Sequence, residues 1–80
     1  MKTRKTKEKA GQIDKVIGER IKAARQKKGW SQTDLGEQIA VSFQQVQKYE
    51  AGTNRISVAR LLELCRVFKK PLGHFIRGLA

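Results

Sequence analysis

The chain has one cysteine, one histidine, one proline and few aromatic side chains, and it has few acids to set against its bases. Each scarcity removes a class of protein. Cys65, being alone, cannot form an internal disulfide, and one Cys with one His is too few for a structural zinc site, so stability has to come from packing. No apolar run approaches the roughly 20 residues of a membrane span, and the basic start is not followed by the apolar core of a signal peptide; a soluble, cytoplasmic protein is expected. One His, one Cys and no paired carboxylates placed to face a cleft cannot build an acid–base or nucleophilic constellation, so no enzyme is expected. There is no internal repeat and no alternating strand pattern.

What is present is positive charge. Against 7 Asp+Glu stand 18 Lys+Arg, a formal charge of +11, which favours a polyanion or an anionic membrane surface as partner. A membrane role is disfavoured because the apolar residues are used up in a globular core. Eighty residues suffice for one small domain with one core, leaving no room among them for a separate oligomerisation or ligand-sensing domain, and nothing in the pattern calls for a cofactor, a metal or a small-molecule effector. Charge is densest in residues 1–12, where Lys2, Arg4, Lys5, Lys7 and Lys9 face a single Glu8 with almost nothing apolar. That segment is expected to be a disordered arm on a domain of residues 13–80, either a solubilising tail or a clamp on nucleic-acid phosphates.

The stretch that organises the rest is residues 31–52, two short helical segments joined by a tight turn. Leu35 and Ile39 are four apart, and Val46 and Tyr49 three apart, so each segment offers one narrow buried stripe. Ser31 with Asp34, and Ser42 with Gln45, have the capping-box spacing that satisfies orphan amides at a helix start. Trp30 can staple onto Leu35 and Val41 onto Val46. The linker of Ala40, Val41 and Ser42 is too short for antiparallel packing and suits a steep crossing.

Around this stretch, Asp14 reads as the N-cap of a first helix over 14–28 with Ile17, Ile21 and Ala24 on one face, and Gly29 as its C-cap. After the polar loop of Thr53, Asn54 and Arg55, Ile56 and Ser57 announce a fourth helix carrying Leu61, Leu64, Cys65 and Phe68. Cys65 on that stripe reads as a small core residue with no chemistry. Lys69 and Lys70 suit a helix C-terminus, and Pro71 opens a final short helix with Leu72, Phe75 and Ile76, leaving His74 on the surface. Arg25 and Glu50 each lie one turn beyond a buried residue, Ile21 and Val46, at the edge of a stripe. They form either an exposed pair contributing at most about 1 kcal/mol or a partly buried one that neither can leave cheaply.

The stretch 31–52 resembles the helix-turn-helix of the phage-repressor and Cro-like family of DNA-binding proteins, with Gln32 opening the first helix, the small Gly36 within it, and Tyr49-Glu50 closing the second. The likeness runs from about residue 17 to 76. One departure is Ala40, where the family usually has Gly; a left-handed conformation at Ala costs roughly 1 kcal/mol. The resemblance implies an all-α, five-helix, lambda-repressor-like DNA-binding domain, with a buried Arg25 to Glu50 pair tying the first helix to the third and with Asn54 and Arg55 on the DNA backbone. Opposite Val46, the third segment presents Gln44, Lys48 and Ala51, with Gln47 at one flank and Phe43 at its tip. Gln can bond adenine twice, Lys can donate to guanine and an aromatic edge can rest on a thymine methyl, so Phe43, Gln44, Gln47 and Lys48 are the candidate base readers. Gln32 and Ser42, at helix N-termini, are candidate phosphate contacts.

The function expected is therefore a sequence-specific regulator of transcription, a repressor, bound to double-stranded DNA in a bacterial or phage setting. It is expected to bind a palindromic operator as a homodimer, with Ile76 and Leu79 as the apolar self-contact. The alternative is an antitoxin or adaptor whose helix-turn-helix also binds a partner protein.

Overall fold

The computed structural model describes the backbone of residues 2–79 and the side chains of residues 11–79. The described residues form five α-helices and no strand: α1 Lys2–Lys27, α2 Gln32–Ile39, α3 Phe43–Ala51, α4 Val58–Phe68 and α5 Gly73–Ile76. Helix α1 lies across α3 and α5, and α2 packs on α3 and α4.

The first helix differs from expectation at its start. It runs continuously from Lys2 through the stretch expected to be a disordered arm, and Asp14 caps nothing. The reason is local: from Lys2 to Lys27 there is no proline, and Lys, Arg, Glu, Gln and Ala are strong helix formers whose summed preference outweighs Gly11 and Gly18. Asp14 instead sits mid-helix and takes Arg55 as a partner, Nε to Oδ2 3.4 Å. The side chains of Lys2, Arg4, Lys5, Lys7 and Lys9, the expected phosphate clamp, lie outside the described residues.

Helix ends elsewhere follow the capping residues. At Ser31 the box is complete, with the Asp34 amide donating to the Ser31 hydroxyl and the Ser31 amide to the Asp34 carboxylate at 2.8 Å. Ser42 accepts from the Gln45 amide at 3.2 Å, but the expected return bond from the Gln45 side chain is not made, so this cap is half a box. Ser57 caps α4 in the same single-bond way. Between α2 and α3 the chain turns on Ala40 in the left-handed region, φ 58° and ψ 45°, a conformation that strains any residue with a Cβ. The turn is held because the Ala40 and Val41 amides both donate to the Gly36 carbonyl. Gly36 itself has no room for a side chain; a Cβ there would stand 2.5 Å from the Val41 carbonyl oxygen.

The stripes meet in one core. Ile21, Leu35, Ile39, Val46, Leu64 and Phe75 are fully buried, each contributing about 1.5–3 kcal/mol by removing apolar surface from water. Ala24, Leu61 and Phe68 complete it, with Trp30, Val41 and Ile56 against its margin. Cys65 also packs there but is only partly buried, and burial pushes its thiol pKa up, which keeps it protonated and a poor nucleophile. Two arginines tie chain ends that no sequence pattern links. Arg20 donates to the carbonyls of Phe75 and Arg77, fixing α5 on α1, and Arg60 donates at 2.6 Å to the Ile39 carbonyl, closing the C-terminus of α2.

The closest approach in the fold is at Gly18, where α1 crosses the end of α3. A Cβ there would sit 2.6 Å from the Glu50 carbonyl oxygen and nearer still to that of Tyr49. Backbone meets backbone at this crossing.

Candidate nucleic-acid interface

Three helices converge on one ion pair. Arg25 of α1 meets Glu50 of α3 in a two-pronged contact, Nε to Oε2 2.6 Å and Nη2 to Oε1 3.1 Å, and its remaining prong donates to the Trp30 carbonyl at 2.8 Å. Glu50 Oε1 also accepts from the Gln32 amide of α2 at 3.1 Å. Both ionic side chains are almost out of water, 10% and 4% exposed, and among the described residues no buried side-chain polar atom lacks a partner. Desolvating two charges is costly, and the geometry offsets it by satisfying nearly every donor and acceptor at once. The result is a joint that sets α3 against α1 and the start of α2.

Helix α3 is two-sided in consequence. Val46 and Glu50 are buried; opposite Val46, Gln44, Lys48 and Ala51 are exposed, with the exposed Gln47 at the flank and Phe43 at the tip. The four candidate base readers are thus all open to solvent among the described residues. Ser42 is exposed at the head of this helix; its oxygen is engaged by Gln45, and its hydroxyl hydrogen is free to donate. Gln32 is half-buried and one of its amide hydrogens is committed to Glu50, leaving the other and its oxygen for an outside partner. Asn54 is half-buried, and Arg55 is exposed except for its long bond to Asp14. Ile76 is exposed and Leu79 half-buried at the far end of the chain, where Leu72 is exposed as well.

Two further features mark this surface. Lys15 and Gln12 of α1 border a shallow hollow with Ala51, Gly52 and Thr53, at the end of α3, so α1 continues the exposed polar surface past the motif. Gly52, with a left-handed backbone at φ 75°, makes this possible, since a Cβ there would stand 2.7 Å from the Lys15 Cα. The contact joins residues far apart in sequence, and only the register of an unbroken α1 could have revealed it. The second is charge placement. Between residues 31 and 52 Lys48 is the only cation, against Asp34, Glu37 and Glu50, so the attraction for a polyanion has to be supplied by the flanking segments and by the helix N-termini.

Comparison with known proteins adds a family and its relatives. A helix-turn-helix family model matches residues 21–75. The chain is 43% identical over 70 residues to an uncharacterized HTH-type transcriptional regulator of Sinorhizobium fredii, covering 88% of this chain and 49% of that protein. It is 43% identical over 67 residues to an uncharacterized HTH-type transcriptional regulator of Rickettsia prowazekii, covering 84% and 52%. An uncharacterized transcriptional regulator in the ATPase CF(0) region of Rhodospirillum rubrum is 39% identical over 67 residues, covering 84% and 62%. The chain spans about half the length of most of these curated relatives.

Proposed function

The chain belongs to the Cro-like helix-turn-helix family, and on that premise we propose that it is a sequence-specific regulator of transcription, a repressor that holds a palindromic operator as a homodimer. The observation that carries this reading is the outward face of α3, on which Phe43, Gln44, Gln47 and Lys48 are exposed together while the opposite side is anchored by Val46 and Glu50. A helix so mounted can lie in the major groove, about 12 Å wide, without disturbing the core. Its relatives are named as transcriptional regulators, which supports the same assignment.

In this mechanism the roles divide. Ser42 and Gln32, at the heads of α3 and α2, donate to phosphates where the helix dipoles also favour negative charge, and Asn54 and Arg55 hold the next stretch of backbone. Arg55 gives up only a long, exposed contact with Asp14 to do so. Gln44 and Lys48, one turn apart, read base edges, with Gln47 beside them and Phe43 leading the helix in. Residues 1–12 supply basic charge that the motif lacks, and as the first turns of α1 they carry it from the domain of residues 13–80 towards phosphates. Neither metal nor cofactor enters this scheme.

Replacing Gln44 by Ala tests the central assignment. Binding to the preferred site, found by selection from random duplexes, should weaken by roughly 1–3 kcal/mol with relaxed preference at one base pair per half-site, while random DNA is bound as before. Equal weakening on both would sink the reading. Removing residues 1–11 should flatten the dependence of affinity on salt and leave the preferred sequence unchanged. Two half-sites about one helical turn apart are expected, bridged by Ile76 and Leu79, and sedimentation of the complex as a monomer on an asymmetric site would remove the homodimer.

A further inference from the structure

The C-terminal ends of α1 and α4 border a half-open hollow of about 390 Å³. Its floor is apolar, made of Ala23 and Ala24 with Phe68, the last two being core residues seen from outside. Its rim is made of Lys27, Lys28, Lys69 and Lys70, with His74 beside them, and no carboxylate lines it. Among the described residues none of the four lysines stands in an ion pair; Lys28 rests its ammonium 5.6 Å from the Trp30 ring, which in turn packs on Phe68.

We propose that this hollow is a binding site for a small organic anion with an apolar body and a carboxylate or phosphate group. Volume suits it, since small-molecule sites begin at about 300 Å³ and are largely apolar with a few converging polar groups. Chemistry suits it too. A lysine at a helix C-terminus needs no ligand, because the dipole there favours positive charge. Two helices ending on one hollow, each with a pair of lysines, go beyond that need and set like charges round a low-dielectric floor. An anion seated on the floor would be drawn by all four and would relieve their mutual repulsion, while its body covers the exposed Ala23 and what remains open of Ala24. That apolar floor favours an organic body over a bare ion.

The site and the reading surface are compatible with simultaneous occupation. None of the residues that line the hollow belongs to α2 or α3, so it shares no side chain with the outward face of α3. No separate sensing domain is required, because the core's own outer wall serves.

The test is an amide-resolved NMR titration of the 80-residue protein with benzoate, with adenosine monophosphate and with inorganic phosphate. Benzoate and the nucleotide should shift amides of residues 23–28 and 66–74 saturably, and phosphate should bind at least tenfold more weakly at the same place. The tighter of the two organic probes identifies the ligand as an aromatic carboxylate or a nucleotide. Lys27→Ala with Lys70→Ala should weaken binding at least fivefold with the spectrum still dispersed, Lys70→Gln alone should weaken it less, and Lys22→Ala should leave it unchanged. Phosphate binding as well as benzoate, shifts spread evenly to Lys22 and Lys48, or an unaltered affinity in the double variant would each overturn the proposal.

Discussion

At the junction of α1, α2 and α3, Arg25 and Glu50 face each other with both side chains at least nine-tenths out of water, whereas at the C-terminal ends of α1 and α4 four lysines surround a hollow with no acid in its lining. The first region is charge-balanced and every donor is aimed. In the second the charge has one sign and all four lysines are exposed. Depth decides the difference. Out of water, a charge without its partner is prohibitively unstable, so geometry must be fixed; in water, screening over about 8 Å makes a cluster of like charges tolerable and leaves it available to something else. One chain thus uses arginine to hold a helix in place and lysine to remain unattached.

Stability measurements on alanine variants should rank with depth. Arg25→Ala and Glu50→Ala should each lose roughly 3–5 kcal/mol, because each leaves the other charge buried, and the double variant should recover part of that loss. Two small and additive losses in denaturant unfolding would break the contrast. Arg60→Ala comes next: its guanidinium closes the end of α2 through the Ile39 carbonyl and also lies 3.3 Å from Glu63, and a charged hydrogen bond of that kind is worth roughly 1.5–3 kcal/mol. Arg55→Ala should cost at most about 1 kcal/mol, since its contact with Asp14 is long and its side chain 72% exposed. The smallest effect belongs to the lysines. Raising salt should increase the melting temperature of the wild-type protein, by screening the like charges, and the Lys27→Ala, Lys70→Ala double variant should show a shallower salt response; identical responses would mean that the cluster does not repel itself.

How much of this could be read beforehand follows the distance between the partners in the chain. Ser31 with Asp34, Gly29 after Lys28, and the stripes Leu35/Ile39 and Leu61/Leu64/Phe68 were legible because each rests on residues within two turns of one another. Asp14 misled for the same reason: it had the form of a cap, but helix propensity carried α1 through it, and its partner Arg55 lies 41 residues away. Gln45 likewise stood at the spacing of a box and left its half unmade. Arg60 on Ile39, 21 residues apart, Arg20 on the chain end and the meeting of Lys27 and Lys28 with Lys69 and Lys70 depend on how helices pack, and no periodicity announces them. The face of α3 was readable because opposite sides of one helix are fixed by 100° per residue, whatever surrounds it.

Gly18 gives the position of α3 an unusual sensitivity. Because α1 and α3 touch there through main chain alone, a single added methyl has no cavity to occupy and can only wedge the two helices apart. The wedge would act at one end of α3, beside Glu50, so the helix would pivot and its far tip at Phe43 would swing furthest. A side chain at position 18 would therefore be felt at the joint itself, pressing on the main chain of Glu50 and so on the contact with Arg25 that orients α3; overpacking of that kind costs about 1–3 kcal/mol.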